Sequence, residues 1–119
     1  MTRLVWAQQR FSKKLADLIH WAYEHGYAIT LGEVWRPEET VSFYAKNGIG
    51  SKDSLHPLRL AADLNLFKEG SWLKKTEGHR PLGDYWKSLS EPNLECCWGG
   101  DFKARPDGNH YSISMGGRK

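Results

Sequence analysis

Near the start of the chain, apolar residues return every three or four positions: Phe11, Leu15, Leu18, Ile19 and Ala22, with Lys13, Lys14 and Asp17 between them. That is the helical period, so the pattern predicts an amphipathic helix from Ala7 to His25, closed by Gly26. Tyr27 to Arg36 then carries β-branched and aromatic residues without proline, and reads as a strand ending near Trp35 and Arg36. Pro37 suits the first turn of a second helix, Glu38 to Lys46. A loop rich in glycine and serine, Asn47 to Ser54, delivers the chain into His56 and Pro57. Beyond it the period falls to two, because Leu60, Ala62, Leu64 and Leu66 alternate with Ala61, Asp63, Asn65 and Phe67. This is a strand with one apolar face, and the carboxylate of Asp63 on its other face needs a physical reason to be there.

The remaining pattern is shorter in range. Lys68 to Ser71 reads as a turn and Trp72 with Leu73 as a short return strand. Pro81 to Leu89 forms a third helix with Leu82, Tyr85, Trp86 and Leu89 on one side. Leu94 to Phe102 and Tyr111 to Ser114 are the last strand candidates, separated by a turn-rich stretch from Lys103 to Asn109. The sum is an α+β chain: a small, mostly antiparallel sheet with helices packed on one side. A length of 119 residues predicts a single domain over 1–119, and no internal repeat divides it.

Composition narrows the class. With 39% hydrophobic, 26% charged and 13% aromatic residues, the chain is neither a disordered tail nor a membrane protein. The 17 basic and 14 acidic residues leave a net charge of +3, a mild preference for anionic partners without a dense basic tract. A nucleic-acid binder using exposed tryptophans is the weakest reading, since the tryptophans fall mostly at core-like positions, and no nucleic-acid partner is expected. Cys96 and Cys97 are adjacent, so they form neither a disulfide framework nor a CxxC metal pair; two core residues on a strand, in a reducing compartment, account for them. The polar run that ends at Arg10 comes too early for the apolar region of a signal peptide, and no stretch approaches the ~18 apolar residues of a membrane span. Synthesis in the cytoplasm and a monomeric state are the expectations.

Two histidines stand beside carboxylates. His56 sits at a loop-to-strand junction and is followed by Asp63; His110 opens the last strand, just after Asp107. The other three, His20, His25 and His79, fall on the first helix or in a polar segment, where solvated or capping roles are expected. Hydrolytic zinc takes three protein ligands and leaves a fourth position to water, and His56, Asp63 and His110 supply that set. Peptide hydrolysis also needs a base to carry the proton to the leaving amine, for which Asp107 is the candidate. A fixed positive group must meet the developing oxyanion, and Arg36, at the end of a strand, is a candidate. Each residue alone has a blander explanation, a core histidine, a turn aspartate or a solvated arginine; only the joint pattern favours chemistry.

Those residues resemble a family. Ser54-Leu-His-Pro-Leu-Arg-Leu-Ala-Ala-Asp63 matches the S-x-H-x6-D signature of the zinc D-alanyl-D-alanine carboxypeptidases and L-alanoyl-D-glutamate endopeptidases, and Asp107-Gly-Asn-His110 matches their D/E-x-x-H. Trp98-Gly-Gly-Asp-Phe102 is similar to a stretch preceding the second signature in phage members. Gly32-Glu-Val-Trp-Arg-Pro-Glu-Glu39 is similar to the segment holding the family's substrate-binding arginine. The resemblance spans nearly the whole chain in the family's order.

It implies a hedgehog/D-Ala-D-Ala peptidase-like fold, Zn2+ bound by His56, Asp63 and His110, and Asp107 as catalytic base. Arg36 then holds the scissile carbonyl or a substrate carboxylate, and Ser54 and Thr40 line the substrate site. Three positions depart from the pattern: Thr40 stands where many relatives have glutamine, Arg59 or Leu60 where they have glycine, and Ser112 where an acidic residue is common. The implied function is a zinc metallopeptidase cutting peptidoglycan stem peptides, at the L-alanoyl-D-glutamate or the D-alanyl-D-alanine bond, in a phage or prophage lysis enzyme released to the wall. The alternative is a zinc-containing wall-binding module without hydrolytic activity.

Overall fold

The computed structural model describes residues 1–47 and 54–119, with the backbone only at Val41 and Tyr44. The first helix, α1, spans Arg3–Glu24 and starts earlier than its apolar stripe suggests, because the Thr2 hydroxyl accepts a hydrogen bond from the Val5 amide and caps it. Its buried stripe is Ala7, Phe11, Lys14, Leu18 and Ala22. Lys14 is tolerated there because its ammonium reaches the Leu89 carbonyl at 2.7 Å and Glu91 Oε2 at 2.6 Å. Gly26, at φ +85°, turns the chain into β1, Tyr27–Leu31.

The other elements are α2 (Glu38–Lys46), β2 (Ala61–Lys68), β3 (Ser71–Trp72), α3 (Arg80–Ser88), β4 (Cys96–Trp98) and β5 (His110–Ile113). Short 3-10 turns cover His56–Leu58, Thr76–His79 and Gly99–Asp101. The sheet runs in the order β1-β2-β5-β4, with β3 paired to β2, and every pairing is antiparallel. The expected α+β class therefore stands. Helix α1 lies against β1, β5 and α3, while α3 lies against β4. Among the described residues, no helix is long and apolar enough to cross a membrane.

Two expected strands are shorter than their composition suggests. β1 stops at Leu31 because Asp63 of β2 divides its backbone bonds between two residues: its carbonyl accepts from the Gly32 amide at 2.7 Å, and its amide donates to the Glu33 carbonyl at 2.8 Å. That irregular step ends the ladder and lets the chain turn away before Arg36. The strand expected from Leu94 to Phe102 contracts to Cys96–Trp98, since Gly99 and Gly100 begin a 3-10 turn. The loop expected from Asn47 to Ser54 falls largely outside the described residues.

Alternation along β2 divides the sheet into two faces. Ala62, Leu64 and Leu66 are fully buried toward the helices, and Asp63, Asn65 and Phe67 point the other way. Aromatic contacts tie the buried layer together: Phe11 meets the edge of Trp86 at 5.7 Å, and Trp86 meets Tyr111 at 6.1 Å. The Trp86 indole N–H is shared between the carbonyls of Cys97 and Ser112, each at 3.0 Å, so α3 is fastened to β4 and β5 at one point. Both thiols are buried, and burial pushes them up, Cys96 to about 11 and Cys97 to about 12, as expected of inert core cysteines.

Candidate metal centre

Strand register brings the first two potential ligands together. In the β2–β5 ladder Asp63 lies directly opposite His110, so the two side chains leave the sheet on the same face. His56 comes from the 3-10 turn that precedes β2, where Pro57 suits the opening turn and Arg59, at φ +56°, reverses the chain into the strand. His56 Nε2 stands 3.3 Å from Asp63 Oδ1, and His110 Nδ1 stands 3.7 Å from the same oxygen. One ligand atom from each of the three lies within 4.8 Å of the other two. Both imidazoles are buried, with 3% and 7% of their surface exposed.

Buried polar atoms almost always have hydrogen-bond partners. Here His56 Nε2, Asp63 Oδ1 and His110 Nε2 have none among the described residues. Two of these orphans, His56 Nε2 and Asp63 Oδ1, face each other in the cluster, and a cation bound between the three side chains satisfies them. Two imidazoles and one carboxylate are borderline to hard donors suited to zinc, so the donor set and the orphaned atoms both fit that metal.

The neighbours of the cluster fix its chemistry. Ser54 Oγ is 2.9 Å from His56 Nδ1 and also accepts the His56 amide at 3.1 Å. Donation from Nδ1–H to this oxygen leaves Nε2 as the lone-pair nitrogen facing Asp63, the arrangement that orients a metal-ligating histidine. Burial pushes the Asp63 carboxyl up, but the close imidazoles of His110 and His56 outweigh it and hold the group well below the usual carboxylate range.

Arg36 is nearly buried and lies beside Asp63, with Nη2 3.8 Å from Oδ2. It is gripped by Glu33, which accepts from Nε at 3.1 Å and from Nη2 at 2.9 Å. Neither signature marks Glu33. Its signal was the Glu-x-x-Arg spacing, which says nothing until the strand is known to end at Leu31. Thr40 is half-buried in the first turn of α2, and its hydroxyl has no hydrogen-bond partner among the described residues.

Asp107 stands on a braced turn. Its amide donates to the Gly99 carbonyl at 2.9 Å, and its carbonyl accepts from the His110 amide at 3.1 Å. Gly99 must be glycine: a Cβ there would collide with the Asp107 carbonyl oxygen and come within 2.7 Å of His110 Cβ. The Trp98 indole donates to the Gly108 carbonyl at 2.7 Å. The Trp-Gly-Gly stretch is thus the support of the Asp107–His110 turn. Asp107 is exposed at the rim of the cluster. Partial desolvation and the neighbouring charge of Asp63 raise its carboxyl, against the pull of His110, His56 and Arg36.

The remaining histidines are accounted for elsewhere. His20 pairs with Glu24 at 2.7 Å on the exposed side of α1, and His25 stacks on Trp21 with ring centres 4.0 Å apart. The solvated or capping role expected of His79 is corrected by the structure: it is buried, with Nδ1 2.9 Å from the Tyr111 hydroxyl, and burial lowers its pKa. Its neighbours in sequence are polar, but the Thr76–His79 turn rolls it inward.

Comparisons with known proteins identify the family and the fold. The family model described as D-alanyl-D-alanine carboxypeptidase matches residues 47–113. Among solved structures, the fold is similar to the L-Ala D-Glu endopeptidase ChiX of Serratia marcescens, with a TM-score of 0.69 at 16% identity over 95% of this chain and 87% of that one. It is also similar to a variant of the vancomycin resistance D,D-pentapeptidase VanY from a VanB-type resistance cassette, in complex with Zn(II), with a TM-score of 0.57 at 20% identity over 87% of this chain and 70% of that one. A search of curated proteins finds no match. With the family match extending over more than half of the chain and a buried His-Asp-His cluster at its centre, the chain belongs to the D-alanyl-D-alanine carboxypeptidase family of zinc-dependent peptidoglycan peptidases.

Proposed function

We propose that this chain hydrolyses an amide bond of the peptidoglycan stem peptide, with His56, Asp63 and His110 as the zinc ligands and Asp107 as the general base. The observation that carries the proposal is the convergence of three largely buried side chains with orphaned polar atoms beside a carboxylate on a braced turn. Bound zinc supplies Lewis-acid polarisation of the scissile carbonyl and lowers the pKa of a coordinated water toward neutrality.

The chain's own residues do the rest. Asp107 accepts a proton from the attacking water and returns it to the leaving amine nitrogen. A carboxyl raised by desolvation and by Asp63 is a stronger base than a solvated one, which suits both transfers. Arg36, fixed by Glu33, places a positive charge where the carbonyl oxygen gathers negative charge. Ser54 is engaged with His56, so within this proposal it positions a ligand; Thr40 on α2 is a candidate to contact substrate.

The bond cut is the L-alanoyl-D-glutamate or the terminal D-alanyl-D-alanine bond. A phage or prophage lysis role, with synthesis in the cytoplasm and later action on the wall, completes the proposal and is supported by the Trp98–Phe102 likeness to phage members. Zinc-loaded protein incubated with synthetic stem pentapeptides and read by mass spectrometry assigns the bond. Release of L-alanine from the amino end identifies the endopeptidase, and loss of one D-alanine identifies the carboxypeptidase. An intact pentapeptide removes the proposal.

A further inference from the structure

A groove of about 400 Å3 opens on the side of the cluster where Asp107 stands. Asp107, Gly108 and Asn109 line it together with Asn65 of β2, Trp72 and Lys74. Its position follows from register. Asn65 is two residues beyond Asp63 and therefore on the same face of β2, while Asn109 immediately precedes His110. The wall is closely supported, since a Cβ on Gly108 would meet Thr76 Cα at 2.6 Å. The volume matches that of a small-molecule or short-peptide subsite.

The charge in the groove is specific. Lys74 is its lone cation among the described lining residues, and no described carboxylate pairs with it. Its ammonium is held 4.8 Å above the Trp72 ring, and Trp72 in turn stacks on Phe67 at 6.3 Å. The side-chain amides of Asn65 and Asn109 both supply N–H donors, although Asn65 also donates to Thr30 Oγ1 at 3.3 Å. A cation held on an aromatic face, in a groove that two side-chain amides also line, is suited to receive an anionic oxygen pair.

We propose that this groove is a substrate subsite for a free carboxylate of the stem peptide, with Lys74 as the counter-ion. The inference rests on the peptidase reading and extends it to a residue that the zinc cluster does not require. A stem peptide offers that chemistry in two places: the α-carboxylate of a γ-linked D-glutamate and the carboxylate of the terminal D-alanine.

Three synthetic pentapeptides separate these sources: one with both carboxylates free, one amidated at the glutamate α-carboxylate, and one amidated at the C-terminus. Their KM and kcat, with affinity by calorimetry for any peptide left uncut, are measured on zinc-loaded wild-type protein, Lys74→Gln and Lys74→Arg. The expected result is a five- to tenfold loss of affinity when one of the two carboxylates is amidated, matched by Lys74→Gln on the free acid with kcat nearly unchanged. Lys74→Gln should add no further loss on that amide, and Lys74→Arg should restore most of the affinity. Equal losses from Lys74→Gln on all three peptides, or wild-type affinity indifferent to both amides, would overturn the subsite. Hydrolysis without acid-amide discrimination thus sinks the subsite alone. Discrimination without any hydrolysis supports the subsite and sinks the peptidase reading.

Discussion

At position 107 a carboxylate stands beside the cluster without belonging to it, which separates binding the metal from using it. Asp107→Ala should keep zinc and thermal stability, yet lower turnover about 10²- to 10⁴-fold, the range of general acid–base contributions. Metal analysis and kinetics on the same sample check this, and a fully active variant removes Asp107 as the base. His56→Ala and His110→Ala should instead lose zinc, since each removes one of three protein donors. Undiminished metal content in both would refute the ligand assignment. At this scale the clustering of His56, Asp63 and His110 was legible because the three fall in two short motifs. Glu33 was not legible, because its grip on Arg36 depends on where β1 leaves the sheet.

Elements hold these residues in register, and two of their joints can be tested. Glu91 joins Arg10 and Lys14 of α1 to the segment after α3, with contacts of 2.8 and 2.6 Å. Hydrogen bonds from Arg10, then Lys14, hold the Glu91 carboxyl down at about 2. A group whose folded pKa is depressed binds protons more readily when unfolded, so its stabilisation is complete above the ordinary glutamate value of 4.5 and is lost as pH falls toward about 2. Thermal melts between pH 6 and pH 2 should therefore show a smaller acid loss of Tm in Glu91→Gln than in the wild type; parallel curves would contradict the joint.

The second joint is Gly99. Gly99→Ala forces a Cβ against the Asp107 carbonyl and His110, so it should weaken zinc affinity and activity together. Gly26→Ala is the control: no atom lies within 4 Å of its Cβ, and only the left-handed backbone at φ +85° is strained, at a cost of about 1 kcal/mol. Zinc affinity should be untouched in that variant. Equal effects of the two substitutions on zinc would show that the Trp-Gly-Gly support is not needed. Element types were legible from period and composition. The ends of β1 and β4 were not, since both are set by backbone contacts with distant segments rather than by propensity.

Across the whole molecule, antiparallel pairing of β2 with β5 turns two motifs far apart in sequence into one centre, because Asp63 and His110 become cross-strand neighbours. The order β1-β2-β5-β4 places the motif-bearing strands side by side at the middle of the sheet, with helices sealing the opposite face. Sequence periodicity identified the buried face of β2 through Ala62, Leu64 and Leu66. It could not order the strands, which requires knowing that the last strand returns between the second and the fourth. Nor could it reveal the groove beside Asp107, which is assembled from β2, the segment after β3 and the turn before β5.

The most direct measurement is digestion of purified peptidoglycan by zinc-loaded protein, by the same sample after a chelator, and after zinc is restored, with released termini identified by mass spectrometry. New peptide termini that vanish with the chelator and return with zinc are expected. A folded, zinc-loaded sample that releases no termini from several wall chemistries, or whose cleavage is indifferent to the chelator, would contradict zinc-dependent hydrolysis at the His56–Asp63–His110 centre.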